Sequence, residues 1–369
     1  MKFLYLTADR VGIATGGGTV THHESEAMRS LALEKGADLL LVGREQLGAF
    51  AEQAFGDDAV PIDGWGREPW TWDGIANLGG TGDHFVSPPK LAHVYAGTFT
   101  ETVASLKRNG CRVCYTAAAH DIVLSRREHE KLGIPYDYPH LNDPEQWERY
   151  VGGYLAADVL VCPSQHSADV MRGFGAKQRI EIIPHGCDLP ERVAPFRKQF
   201  TVGYLGAAGP DKGLVYLLQA WKRLDYPDAT LVLAGRDSTS PFVRSLIERY
   251  GGGNITAMGW VRDVSSFYDS ISLYCQPSIT EGYGCEVLEA MAHGRPVLCS
   301  TGAGAADVVP ESWKTRAGEV DDLVAALSLA KNAPEIRAER GREGRRIAEG
   351  LTWPKIEARY KELWKEMLR

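Results

Sequence analysis

Two glutamates eight positions apart, Glu281 and Glu289, bracket a glycine turn in the stretch EGYGCEVLEAMAHGRP. Glycine adopts positive φ without a steric cost, so Gly282-Tyr283-Gly284 reads as a turn. From about Glu286 to His293, Val287, Leu288, Ala290 and Met291 supply the packing residues of a short helix. Gly294 and then Pro296 close it in the usual C-terminal order. A turn feeding a helix start presents free backbone N–H groups and the positive helix end beside Glu281. The product is an anion site flanked by carboxylates. A phosphate with hydroxyls on both sides suits it, and a sugar nucleotide is such a molecule.

Four other loops carry residues that could join this chemistry. TGGGTVTHH places Gly16, Gly17 and Gly18 where a substrate can approach the backbone at a helix start. YTAAAHDI sets His120 and Asp121 just beyond a strand. VGYLGAAGPDKG has Gly203-x-x-Gly206-x-x-Gly209 spacing, which imitates a dinucleotide fingerprint. That fingerprint wants an acidic residue about twenty positions on, ending the next strand, for a ribose hydroxyl. Here the strand TLVLAG ends in Ala234-Gly235, so a nicotinamide cofactor loses support. Lys212 instead offers a point charge to a diphosphate. MGWVRD, with Trp260 and Val261, follows a strand and suits the flank of a nucleobase, although Trp260 serves equally as a core residue.

The elements that must position these loops follow from hydrophobic patterning. Short apolar runs alternate with helical patterns, which favours parallel sheets joined by right-handed crossovers. The first half offers strands at 3–6, 39–42, 92–95, 112–116, 159–162 and 180–183; the second offers 201–205, 230–234, 255–258, 272–276 and 296–300. The reading is an α/β chain of two Rossmann-like domains, 1–190 and 200–350, with a proline-bearing linker near 188–199 and a tail at 351–369. Ligands bind such sheets beyond the carboxyl ends of their strands, so two of them facing one another make a loop-walled cleft. In the tail, Ile356, Tyr360, Leu363, Trp364 and Met367 form one apolar stripe behind Pro354. The stripe fits a helix on its own domain or one bridging back to the first. Upstream, Arg337, Arg340, Arg342, Arg345 and Arg346 interleave with glutamates, which predicts a solvated, ion-paired helix.

Bulk properties narrow the classes further. The 369 residues, 44% hydrophobic and 24% charged, exceed one ordinary core. A net charge of −7 argues against nucleic acid or anionic lipid as a partner. The opening MKFLYLTA is too short an apolar run for a secretory leader and reads as a strand. No run approaches the ~18 apolar residues of a membrane span. These features predict a cytoplasmic protein with reduced thiols. Cys111 and Cys114 sit in a strand-like run rather than opening a helix, which argues against a redox pair.

With these residues in view, the chain resembles the retaining, nucleotide-sugar-dependent glycosyltransferases of the GT-B fold classed as family 4. EGYGCEVLEAMAHGRPV looks like their E-x7-E signature. GGGTVTHH, AAAHD, CPSQHSADVM, IIPHGCD, GAAGPDKG, MGWVRD and TWP resemble further family elements in the expected order. The resemblance implies that Glu281 binds donor-sugar hydroxyls near the reaction centre, and that His120 contacts the same sugar. It implies that N–H groups around Gly284 and Cys285, with Lys212, hold the distal phosphate, and that Glu289 takes the ribose hydroxyls. Gly206, Trp260, Val261, Gly282, Tyr283 and Glu286 complete the donor-binding set, and Gly17 and Gly18 border the acceptor. Glu281, His120 and Lys212 form the catalytic set. The last helix is implied to cross back to the first domain.

One position departs from the family pattern. Where an arginine follows the first glycine of G-R-x-x-x-x-K-G, this chain has Ala207, and Arg236 at the next strand end is the candidate to replace its charge. No Asp-x-Asp motif stands out, so the expectation is transfer without a metal or other cofactor, the nucleotide sugar being a co-substrate. The acceptor is expected to be a small molecule or glycan. The 45–83 stretch has one basic residue, Arg67, against eight acidic ones, a surface that repels an anionic bilayer. Trp65, Trp70 and Trp72 suit either a carbohydrate-stacking wall or the packing of a long loop. Rival readings are a GT-B epimerase or phosphorylase, and a non-catalytic sugar-nucleotide binder.

Overall fold

The computed structural model describes residues 1–7, 16–44, 59–62, 88–95, 100–136 and 143–369. The Trp65, Trp70 and Trp72 wall and nearly all of the acidic 45–83 stretch lie outside the described residues. The chain opens with β1 (Lys2–Thr7), α1 (Gly16–Lys35), β2 (Asp38–Arg44) and β3 (Ala59–Ile62). It continues with β4 (Leu91–Tyr95), α2 (Thr100–Arg108), β5 (Arg112–Thr116), α3 (Ile122–Leu132) and α4 (Pro144–Ala156). β6 (Val159–Cys162), α5 (Gln165–Gly173) and β7 (Arg179–Ile182) complete the first sheet. Its described strands run in the order β3-β2-β1-β4-β5-β6-β7, and every pairing is parallel.

A second parallel sheet follows with β8 (Phe200–Leu205), α6 (Leu214–Leu224), β9 (Ala229–Ala234), α7 (Pro241–Tyr250) and β10 (Ile255–Gly259). Then come α8 (Val264–Ser270), β11 (Leu273–Gln276), α9 (Cys285–Ala292), β12 (Val297–Ser300) and β13 (Lys314–Thr315). The order is β10-β9-β8-β11-β12-β13. Central strands such as β4, β8, β11 and β12 are buried along their whole length, because helices cover both faces of a parallel sheet. Each strand read from the sequence is present; β3 and β13, short edge strands, were not anticipated. The fold is therefore α/β, with two doubly wound sheets.

The chain closes with α10 (Val320–Asn332), α11 (Pro334–Gly350) and α12 (Trp353–Met367). Residues 188–199 hold no regular element and run between the two halves. The ion-paired reading of the arginine run needs correction. Arg345 pairs with Glu349 at 3.1 Å, but its guanidinium also donates to the Ala292 carbonyl. Arg337 donates to Ala330 O and lies over the Phe200 ring, and Arg340 donates to Ser312 O at 2.8 Å. The reason is that last helical turns leave carbonyls without partners, and a guanidinium brings several N–H groups to them. These arginines tie α11 to its neighbours. α12 leaves the second domain altogether: Trp353, Ile356, Tyr360, Leu363, Trp364 and Met367 share one core with Phe3, Tyr5, Met28 and Leu31. Among the described residues no helix is long and apolar enough to cross a membrane.

Candidate functional site

In the second sheet the strand order reverses at β8, whose neighbours are β9 and β11. Loops leaving adjacent strands there diverge to opposite faces and open a crevice. A cavity of about 210 Å³ occupies this place. Second-domain residues Gly206, Ala207, Lys212, Glu281, Gly284 and Glu286 line it, and first-domain Tyr95, Ala118 and His185 close it from across.

The turn after β11 is shaped by its glycines. Gly284 has φ +92°, a conformation that side-chain-bearing residues rarely adopt, and directly starts α9. No side chain caps that helix start. The first amides of a helix have no carbonyl partner within it, so they remain available to a ligand in the cavity. The helix begins at Cys285, one residue before the sequence-based expectation. At Gly282 a Cβ would lie 2.6 Å from the Ala118 carbonyl, so only glycine lets the two domains approach this closely. Neighbouring backbone bonds hold the turn: Glu281 N to Gly302 O at 2.9 Å, and Ala305 N to Tyr283 O at 2.7 Å.

Lys212 ends a single 3₁₀ turn, Pro210–Lys212, whose Asp211 carbonyl accepts Ile279 N–H at 2.7 Å. That bond fixes the lysine loop to the end of β11. Its Nζ hydrogen-bonds the Glu281 carboxylate. Burial opposes the charge on Lys212, but Glu281 and Asp211 outweigh it and hold its pKa above the usual lysine range. For Glu286, burial comes first and the charges of Glu281 and Glu289 add to it, pushing its carboxyl up to about 7. Burial also raises Glu289, opposed by the Tyr268 hydroxyl that donates to it at 2.8 Å. Burial lowers His120, whose charged neighbours include Asp211, Lys212, Glu281 and His166. The charges of Lys212 and Glu281 thus reach His120 from across the domain boundary.

The remaining sequence candidates are placed as follows. Gly206 lies in the cavity wall and its N–H bonds Ala234 O at 3.1 Å. Cys285 is in the wall too, with its thiol pushed up chiefly by burial. Tyr283 lines the cavity and packs into the second-domain core, its ring 4.9 Å from that of His185, which lines the cavity from the first domain. Trp260 is 58% exposed, which removes the core alternative, and Val261 is half-buried beside it. Arg236 is exposed just beyond β9. Gly17 and Gly18 form the first turn of α1.

Sequence reasoning missed several residues here. His185, pushed down to about 4 by burial, and Gln276 line the cavity, and Thr280 is fully buried beside Glu281. A histidine inside IIPHGCD and a threonine before a glutamate carry no local signal of this. Among the described residues, no group of three or more His, Cys, Asp or Glu side chains is arranged to hold a metal ion. All seven cysteines are free.

Comparison with known proteins adds an independent line. Residues 199–331 match the family model described as Glycosyl transferases group 1. An uncharacterized glycosyltransferase of Haemophilus influenzae is 31% identical over 231 residues, 60% of this chain and 64% of its own length. The sulfoquinovosyl transferase SQD2 of Arabidopsis thaliana is 26% identical over 256 residues, 63% of this chain and 49% of its own. The chain thus spans between about half and two-thirds of these curated relatives. Among solved structures, sucrose-phosphate synthase from Thermosynechococcus elongatus superposes with TM-score 0.73 at 17% identity, covering 100% of this chain and 99% of that one. Anabaena HepE in complex with UDP gives 0.71 at 18% identity, over 99% and 100%. Residues 199–331 are therefore a glycosyl transferases group 1 domain, and the chain that carries them has the GT-B fold.

Proposed function

We propose that the chain is a retaining glycosyltransferase that moves a hexose-type sugar from a nucleotide diphosphate sugar to a soluble hydroxyl acceptor. The observation that carries this reading is the Lys212–Glu281 pair at the uncapped start of α9, with Glu289 one helical stretch behind. Lys212 and the first α9 amides take the diphosphate, Glu281 and His120 take the donor sugar, and Glu289 takes the ribose hydroxyls. Gly206, Trp260 and Val261 border the nucleotide, and Gly17 and Gly18 the acceptor. The bond from the anomeric carbon to the phosphate oxygen breaks while the acceptor oxygen bonds that carbon on the same face. The acceptor proton passes to the leaving phosphate, so no carboxylate is needed as a covalent nucleophile. Lys212 and the helix amides neutralise the leaving charge, and the reaction needs no divalent ion on this account. HepE has been solved with UDP and with UDP-glucose, which makes uridine donors the first to try.

The test is a thermal-shift screen with UDP-glucose, GDP-mannose and ADP-glucose, since a ligand selective for the folded state raises Tm. The stabilising donor is then incubated with soluble sugars or with anionic lipid vesicles. Nucleotide release that requires a soluble sugar, with a product anomer matching the donor by NMR, is the expected result. Release without acceptor, inversion, or transfer only to vesicles would each refute the corresponding part. Lys212→Ala should lower turnover by ~10²–10³, the usual effect of losing one oxyanion-side donor. Arg236→Ala should raise donor KM, because Ala207 leaves the β8 loop with Lys212 but without the second cation of the family pattern. Wild-type kinetics for either variant would remove that residue from the site.

A further inference from the structure

The start of α5 belongs to the first domain, yet four consecutive residues there, Ser164 to Ser167, bond to the second domain. Ser164 Oγ donates to the Gly282 carbonyl at 2.8 Å. Ser167 Oγ lies 3.0 Å from the same oxygen and 2.7 Å from Ala119 O, so its proton is shared between the two domains. Between them, Gln165 N–H donates to the Asp307 carboxylate at 2.5 Å, and His166 Nε2 lies 3.0 Å from Thr280 Oγ1. Thr280 Oγ1 also accepts the Asp121 N–H at 2.7 Å. Thr280 Oγ1 thus ties the second domain to both His166 and Asp121 of the first. Burial lowers the His166 pKa and so favours the neutral ring.

The bonds of Ser164, His166 and Ser167 converge on one short segment. Thr280 precedes Glu281, and Gly282 follows it. Two hydroxyls on a single carbonyl fix the plane of the Gly282–Tyr283 peptide, and thereby the direction in which the chain enters Gly284 and α9. Ser164, Ser167 and Thr280 are all fully buried, so water does not compete for these bonds. From its own side the second domain holds the turn through Glu281 N to Gly302 O, Gly304 N to Glu281 O, Ala305 N to Tyr283 O and the Lys212–Glu281 pair.

We propose that Ser164, His166 and Ser167 of the first domain, together with Thr280, position the Glu281–Gly284 turn from across the domain boundary. The kinetic consequence rests on the reading of this turn as the donor site; the structural consequence does not. Serine and threonine here are positioning residues and touch no substrate.

Two variants separate positioning from folding. Thr280→Val keeps the shape and loses the hydroxyl. Ser167→Ala loses a hydroxyl to Gly282 while Ser164 still caps α5. In the ligand-free protein, amide exchange at Glu281, Gly304 and Ala305 should quicken about tenfold in both, the scale of one buried hydrogen bond. Thr280→Ser should restore the wild-type rate. With whichever of UDP-glucose, GDP-mannose or ADP-glucose raises Tm, donor KM should rise about tenfold while acceptor KM stays constant. Unchanged exchange at all three amides overturns the proposal. So does a fall in maximal rate with donor KM at the wild-type value, since that pattern reports only fewer folded molecules. If none of the three donors binds wild type, the functional reading falls, and the exchange measurement still decides this one.

Discussion

Glu286 shows how one side chain records a conflict between folding and binding. Its carboxyl moves from 4.5 to about 7 because it is buried and stands between Glu281 and Glu289. A raised carboxyl pKa means that the folded state holds the proton more tightly than the unfolded chain. Its contribution to stability is therefore complete below about 4.5 and is lost as pH rises through about 7. A shift of that size corresponds to at most ~3 kcal/mol. Glu286→Gln keeps the shape without the titration. It should match wild type near pH 4.5 and exceed it at pH 8 by up to ~3 kcal/mol in denaturant unfolding. An identical pH dependence in the two proteins would show that Glu286 does not carry this cost. Such destabilising carboxylates cluster at functional sites more than elsewhere.

At the scale of elements, the turn and helix around Gly284 were readable because glycine and apolar periodicity are local signals. The strands were readable for the same reason, their apolar runs being continuous. What escaped was long-range. Ser164 and Gly282 are 118 positions apart and His166 and Thr280 114, and nothing in either segment says that they pair. The arginines of α11 escaped for a related reason, since charge alternation reports composition and not which carbonyls lie opposite. α11 also supplies a case where two local effects compete. Alanine is a better helix former than glycine by about 1 kcal/mol, so Gly341→Ala looks favourable from the sequence. However, a Cβ at Gly341 would lie 2.3 Å from the Gly294 carbonyl, a backbone atom that cannot swing aside. The clash should win, for a net loss of about 1–3 kcal/mol in thermal or denaturant unfolding. A gain in stability would mean that α11 and the end of α9 separate easily.

Across the whole molecule, α12 is the element that makes the two halves one structure. Trp364 is fully buried and donates its indole N–H to His93 Nδ1 at 3.2 Å. His93 Nε2 faces Glu24 at 3.2 Å, and Tyr5 and Thr116 donate to the same carboxylate at 2.6 and 2.8 Å. Removing the indole therefore leaves both a large void and a His93 Nδ1 that has lost its donor in the first-domain core. Trp364→Ala should cost about 3–5 kcal/mol by equilibrium denaturation, the usual range for a buried tryptophan. A loss below about 1 kcal/mol would place α12 outside the first domain's stability. The placement of this helix also sets an order of assembly. Residues 353–367 leave the ribosome only after the entire second domain has been made, yet they fill the hydrophobic interior formed by β1 and α1. The half translated first is thus the half that closes last, and until then its nascent β-sheet waits with one wall missing.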